Sequence, residues 1–463
     1  MKKILSAVAA LGFVAGVATT AAALDLSVSG TYSVTGNYLS SGSGQGIDVT
    51  EATGTDNKAD SYWMHTFAMK PTMTVNDKIT MFSEVRLADN SVWGGQTGGD
   101  TSGVPMWNAD TATGDVYVHR LYMQYLSPLG KIQMGRLSSG PWGTPFLDND
   151  GRANGIKFWP SALASGPWST YFSVTKGTEK DSLSSTNVAS GNDSDTYEGR
   201  VYYKDDALNA GVRYAHNVNN SATASNTTKT TTGVYGVYKW SNYFFATEIV
   251  QFGGDTESDA GAVTNDLSAA GALFEIGGQF DNLSVAAAYV YAEGDNNSGD
   301  TDATAFLANT GSGNGTGSEF TPLYILTGRG MGCLNADIAG ADGISGGAVA
   351  VAGTHALAII ADYKASDRLT LHGAIAYAQA DEEVDNGNLG VNTVGGVPSL
   401  SYANRGDEYG WEYDLGAAYK LLDNLTYEAH FGYLDTGDFF NATATSTDAT
   451  NVYLLSHSLT MTF

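Results

Sequence analysis

The sequence predicts an all-β membrane protein: a transmembrane antiparallel up-and-down barrel of about 18 strands, with about 16 as the alternative. Three observations carry this. Segment after segment alternates apolar and polar residues with the two-residue period of a half-buried strand. A unit of strand, very short turn, strand and long polar loop recurs without the fixed repeat length of a solenoid or propeller. After residue 23, no stretch approaches the roughly 18 apolar residues of a spanning helix, so any membrane crossing must be made by strands.

Residues 1–23 read as a cleaved secretion signal: Lys2 and Lys3, an Ala/Val/Leu run, then Ala21-Ala22-Ala23. Residues 24–463 read as one barrel domain. The whole chain has 23 basic and 49 acidic residues. The signal holds two of the lysines and no acid, so 440 residues remain with 21 bases against 49 acids, a net charge of −28. That acidity excludes a general nucleic-acid binder, which needs a basic surface. The single cysteine, Cys333, excludes an intrachain disulfide framework. A mean hydropathy of −0.16 suits a barrel in which only alternate strand residues meet lipid.

Strands are expected at roughly 24–38, 61–75, 78–88, 115–126, 131–136, 153–160, 167–176, 195–204, 207–216 and 231–240. The series continues at roughly 242–252, 270–280, 283–293, 354–364, 368–380, 408–420, 424–435 and 451–463. Alternation slips in the fifth and sixth, and dropping these gives the smaller barrel. Short turns such as Asn76-Asp77, Asp205-Asp206, Asp281-Asn282 and Asp423-Asn424 join pairs of strands. Asp and Asn favour such turns by hydrogen-bonding their own backbone.

The clearest strand is 408–420. Tyr409, Trp411, Tyr413, Leu415, Ala417 and Tyr419 fall on one face, and Glu408, Glu412, Asp414 and Lys420 on the other. A Lys or Arg facing lipid at mid-membrane costs about 2–4 kcal/mol and an acid somewhat less. The charged face is therefore expected to meet a wet lumen. The same argument assigns Glu84, Arg86, Glu198, Arg200, Lys204, Arg213 and Glu248 to the lumen. Opposite charges two residues apart, at Glu84/Arg86 and Glu198/Arg200, neutralise one another along the wall or face the permeating solute.

Strands about 4.8 Å apart and tilted about 40° give 18 of them a diameter of roughly 35 Å, too wide for side chains alone to fill. The bore holds water, folded-in loops, or both, and a watery bore across a membrane is a passage for solutes. Three segments are candidates to narrow it: 137–152, the longest loop 294–353 with its apolar middle Phe320 to Cys333, and 90–114 with Trp93 and Trp107.

The Ala-rich exported start, the Asp/Asn hairpin turns, the segment Gly135-Arg136 to Arg152 and the terminal Thr460-Met461-Thr462-Phe463 together resemble a Gram-negative porin. The segment from Gly410-Trp411-Glu412-Tyr413-Asp414-Leu415-Gly416 to Gly437-Asp438 is similar locally to barrels of the alginate-export type. The resemblance implies an outer-membrane location, short periplasmic turns, long extracellular loops and passive diffusion of small hydrophilic solutes and ions through a homotrimer. It implies an inward-folded loop whose acids, Asp148 and Asp150, face the bases Arg136, Arg152 and Lys157 across an eyelet, where a transverse field orients polar solutes. It also makes Leu459, Met461 and Phe463 a signal for the barrel assembly machinery, with lipopolysaccharide and outer-membrane lipid as surroundings. A substrate-specific channel or a polysaccharide exporter is the alternative.

Net charge and the eyelet acids predict a mild cation preference, limited by Arg86, Arg200, Lys204 and Arg213. No cofactor, metal or nucleic-acid partner is expected. The acidic stretch Asp148-Asn149-Asp150-Gly151 lacks a complete spaced calcium ligand set. The seven scattered histidines sit in no nucleophile motif, so an enzyme is not expected. An adhesin with a blocked lumen is the remaining class, and it would carry no current.

Overall fold

A computed structural model of the chain describes residues 25–42, 58–93, 117–138, 140–148, 151–179, 193–220, 225–258, 263–296, 301–307, 322–327, 352–382, 406–440 and 451–463. The expected signal, residues 1–23, lies outside them. The wall begins with β1 (Asp25–Gly42), β2 (Lys58–Thr74), β3 (Ile79–Val92), β4 (Tyr117–Ser127), β5 (Gly130–Ser138) and β6 (Arg152–Pro160). It continues with β7 (Trp168–Thr178), β8 (Ser194–Lys204), β9 (Leu208–Asn219), β10 (Ser225–Trp240), β11 (Tyr243–Ser258), β12 (Val263–Phe280) and β13 (Leu283–Ala292). After a two-residue strand, β14 (Asp302–Ala303), come β15 (Thr354–Lys364), β16 (Leu369–Gln379), β17 (Glu408–Leu422), β18 (Leu425–Thr436) and β19 (Val452–Thr462).

Each wall strand pairs antiparallel with its neighbours, and β1 pairs with β19 from Thr31↔Thr462 to Leu39↔Leu454, so eighteen strands close a barrel. β14 stands apart from the wall, adding a short parallel bridge to β12 at Asp266 and Leu267. Closure matters physically because lipid offers the backbone no hydrogen-bond partner, and a closed sheet leaves no edge. The weakly alternating fifth and sixth strands are present, which removes the sixteen-strand alternative. Their pattern slips because Gly135 and Gly155 face each other on them. A Cβ on Gly135 would lie 2.4 Å from the Leu121 carbonyl, and its φ of 134° disfavours any other residue.

The phase of the strands is the expected one. On β17, Trp411, Tyr413 and Leu415 are 44, 44 and 66 % exposed, whereas Glu412 and Asp414 are 0 and 2 % exposed. The outer surface is layered. At the short-turn end two groups of aromatics stand together, Trp168 with Tyr203 at 5.0 Å and Tyr238, Trp240, Tyr243 and Phe280 in a row at 5.6–5.9 Å. Exposed Val201, Val212, Ile249, Ile276 and Ile359 fill the middle. Tyr38, Trp63, Tyr197, Tyr214, Trp411 and Tyr453 stand out again nearer the long loops. Two aromatic belts around an aliphatic band are what a bilayer and its two interfaces select.

Several strands run further toward the long loops than periodicity indicated; β10 starts at Ser225 and β12 at Val263. Polar side chains keep these extensions paired, as with Thr228 Oγ1 donating to Asp255 Oδ1 at 2.5 Å. At the short turns the expected Asx geometry is present. Asp205 accepts from the Tyr203 hydroxyl at 2.7 Å and from the backbone N–H groups of Leu208 and Ala207. Those bonds hold its carboxyl below the ordinary range.

The seam is zipped to its last residue. Gly30 N donates to Phe463 O at 2.9 Å and Phe463 N to Gly30 O at 3.1 Å, and the Phe463 ring lies 6.2 Å from that of Phe67. Deleting Phe463 removes two backbone bonds, each a net contribution of about 1 kcal/mol, together with that ring contact. The expected outcome is a lower yield of the compact, heat-modifiable species on unheated gels with export unchanged; normal heat-modifiable folding of the deletion would contradict it.

Candidate channel constriction

The segment between β5 and β6 turns into the barrel. Gly140 and Gly143, with φ of 79° and 62°, supply the left-handed turns that bend it inward. At its centre Trp142 is 2 % exposed and Phe146 fully buried. The anchor is Glu248 on the inner face of β11. One carboxylate oxygen accepts from the Trp142 indole N–H at 2.9 Å, and the other from the Thr144 N–H and hydroxyl at 2.8 and 2.7 Å. Three donors satisfy a charge that would otherwise be buried at a cost of several kcal/mol. A second clamp comes from β8 and β9. Arg200 donates to Pro141 O at 3.0 Å, and the guanidiniums of Arg200 and Arg213 lie 5.6 and 5.3 Å from the Trp142 ring. Glu198 sits between these directly opposed arginines, 2.8 Å from Arg200 Nε and 3.4 Å from Arg213 Nε, and screens their repulsion.

Beside this loop lies a cleft of about 230 Å³ whose walls include Trp142, Asp148, Lys157, Tyr171, Arg200, Arg213, Lys229 and Phe252. Asp148 and Lys157, paired in the expected eyelet, therefore share one cleft. Lys157 Nζ donates to Ser138 O at 2.5 Å, and Lys229 Nζ stands 4.4 Å above the Phe252 ring. Asp150 lies outside the described residues. Arg152 is on the wall but in a neighbouring group, its Nη1 3.1 Å from His119 Nδ1 and its guanidinium over Tyr117. Arg136 corrects the expectation. It pairs with Leu121 and follows Met134 in the outward phase, and its Nε donates to His119 O, so it does not line the cleft. Lys204 keeps the inward phase but is exposed at the short-turn rim.

The group around His119 extends the charged wall toward β3. Arg86 donates to both Asp89 oxygens at 2.7 Å and to Glu84 at 3.1 Å, Arg120 reaches Glu84 at 3.5 Å, and the Tyr117 hydroxyl donates to Asp89. Sequence reasoning missed His119 and Arg120 because the pairing shifts between Glu84 and Val85, which breaks the two-residue phase on β4. It also missed Lys229, whose place in a Thr-rich run gives no sign of what it faces. Trp142 carried a detectable signal, an aromatic between Gly-Pro and Gly in a loop too short to wander.

On the opposite wall a second segment, 322–327, lies inside the barrel. Tyr324 N donates to Asp414 Oδ2 at 3.1 Å, and Ile325 N and Leu326 N donate to the two Glu412 oxygens at 2.6 and 2.7 Å. The Tyr324 hydroxyl lies 2.8 Å from His430 Nδ1. Glu412 and Asp414 are thus lumen-facing, as expected, but covered. The apolar side chains of the inturned pieces form one buried cluster in which Phe306 stacks on Phe146 at 5.7 Å and on Phe252 at 5.0 Å. The cluster takes in Leu39, Met64, Tyr409, Leu434 and Leu454 from β1, β2 and β17–β19. Among the described residues the cluster joins the inner faces of β1, β2, β11–β13 and β15–β19, apart from the charged face of β3–β10.

Replacing Glu248 by Ala leaves three donors without an acceptor, at about 1–3 kcal/mol for each one buried. In Gly143→Ala the new Cβ lies 2.5 Å from Glu248 Oε2 in a left-handed conformation. Both variants are expected to assemble as barrels and to become sensitive to limited proteolysis between Ser138 and Arg152. Protection equal to that of the unaltered chain would show that Glu248 does not hold the loop.

No family model matches the chain, and no curated protein matches it. Solved structures do resemble it. Pseudomonas aeruginosa OccK8 (OprE) aligns at 14 % identity over 95 % of this chain and 98 % of that one, with a TM-score of 0.52. Pseudomonas aeruginosa OccK9 (OpdG) aligns at 14 % identity over 95 % and 99 %, with a TM-score of 0.52. A BenF-like porin from Pseudomonas fluorescens Pf-5 aligns at 12 % identity over 94 % and 99 %, with a TM-score of 0.50. At such identities the likeness concerns the fold, and in fold this chain is a closed eighteen-stranded antiparallel barrel similar to those porins.

Proposed function

We propose that this chain is an outer-membrane channel for passive entry of small hydrophilic solutes, selective for those carrying an acidic group. The observation that carries the reading is the division of the bore: an apolar bridge on one side, a charged wall on the other. Along the middle of that wall Arg86, Arg120, Arg152, Lys157, Arg200, Arg213 and Lys229 face Glu84, Asp89, Asp148 and Glu198, so bases outnumber acids there among the described residues. This reading departs from the mild cation preference expected from net charge and the eyelet acids. Glu248, Glu412 and Asp414 are spent as anchors for inturned segments, and this weighs against their attracting cations.

The aromatic rings of Trp142, Tyr171 and Phe252 give the cleft flat apolar surface beside its cations, which suits a small organic acid better than a bare ion. A polysaccharide exporter would need room for a hydrated chain, and the bridge across the bore opposes that reading. Entry to the membrane through a cleaved signal, recognition of Leu459, Met461 and Phe463 by the barrel assembly machinery, contact with lipopolysaccharide and assembly as a homotrimer complete the proposal. Chemical cross-linking in detergent tests the last of these.

Planar-bilayer recording is expected to give stepwise currents with a reversal potential on the anion side in a salt gradient. Lys157 is buried and Lys229 partly buried on the cleft, and the attraction of each for a passing carboxylate is taken as about 1 kcal/mol. Lys157→Gln with Lys229→Gln is therefore expected to slow liposome entry of a small dicarboxylate about threefold to tenfold while a neutral sugar of similar size changes little. Cation-side reversal, or equal slowing of both solutes, would overturn the reading.

A further inference from the structure

We infer that Glu412 and Asp414 are positioning residues for a seated strap, residues 322–327, and that lifting this strap opens a second, acid-lined lane through the barrel. The inference rests on the channel reading and goes beyond it. Three consecutive backbone N–H groups of the strap, from Tyr324 to Leu326, point at two carboxylates on one strand. The strap holds its own turn, with Thr327 Oγ1 accepting from Leu323 N at 2.8 Å and donating to Leu323 O at 2.9 Å.

The wall beneath it is shaped to receive it. In one row of pairs Ala358, Ala376 and Glu412 stand side by side, and Leu323 packs on the two alanines. Two rows further toward the short turns come Asp362, His372, Gly416 and His430. Gly416 is bare where the Tyr324 hydroxyl sits: a Cβ there would lie 2.1 Å from that oxygen, 3.0 Å from His430 Nδ1 and 3.3 Å from the ring carbon bearing the hydroxyl. Gly432 leaves similar room, a Cβ there falling 3.2 Å from Tyr324 Cβ. Small residues, glycines and two acids therefore form a bed. Without the strap that bed presents Glu412, Asp414, Asp362, His372 and His430 to the bore, a set whose fixed charges are acidic. The seated state passes solute along the basic wall alone; the lifted state adds a lane of opposite sign.

Gly416→Ala tests this, since it wedges the strap and leaves both acids in place. Assembled barrels, verified by heat-modifiable mobility, are expected to show single-channel conductance raised about twofold and a reversal potential displaced toward cations. Adding Tyr324→Phe removes the clashing oxygen and is expected to restore both values. Should Gly416→Ala fail to assemble, Tyr324→Ser is measured in its place, with the same two shifts expected. Conductance and reversal potential equal to those of the unaltered channel, or a Gly416→Ala effect that Tyr324→Phe leaves unchanged, would overturn the strap inference. Absence of current from the unaltered protein would instead overturn the channel reading.

Discussion

Three carboxylates turned away from lipid organise the interior of this barrel. Glu248, Glu412 and Asp414 occupy inward positions because the outward ones would place charge in hydrocarbon. Once inside they are covered, and a covered carboxylate must be fully hydrogen-bonded. Backbone N–H groups of inturned segments supply part of that need, two to Glu412 and one each to Asp414 and Glu248. The same groups would otherwise be unpaired donors in a dry bridge. Each side of the arrangement satisfies the other, which is how irregular backbone can exist at membrane depth.

The path of a solute follows from where these anchors lie. Glu248 draws residues 140–148 across from β5 and β6, and Glu412 and Asp414 hold 322–327 against β15–β18. Phe306 joins the two by stacking on Phe146 and Phe252. The Ala-rich inner faces of β13, β15 and β16 make space for this filling, and the charged faces of β3–β10 stay beside the opening. The wall strands are held mainly by backbone hydrogen bonds, so the filling can vary more freely than the wall.

Much of this was legible in the residues. The period of two on β17–β19 sets their orientation, and the cost of charge in lipid sets which face is wet. Where legibility failed, the cause was local or long-range. A shift of pairing hid His119 and Arg120. The resemblance puts Arg136 at the eyelet, whereas its pairing with exposed Leu121 puts it in the outward phase. Gly135 and Gly155 blurred two real strands. The burial of Glu412 and Asp414 depends on partners 86 to 90 residues away, a distance that no periodicity reports. Net charge has a related limit: it sums acids without saying which are covered.

The account depends most on the bore being dry on one side and wet on the other. The direct measurement is modification of single cysteines by a charged, membrane-impermeant thiol reagent, in an assembled barrel with Cys333 replaced by Ser. Cysteines placed at Thr196 and Lys229, on the cleft, are expected to react and reduce the current. Those at Ala358 and Ala376, beneath the strap, are expected to react far more slowly, only when it lifts. Equal reaction at all four positions would mean that no bridge divides the lumen, and the account would fail.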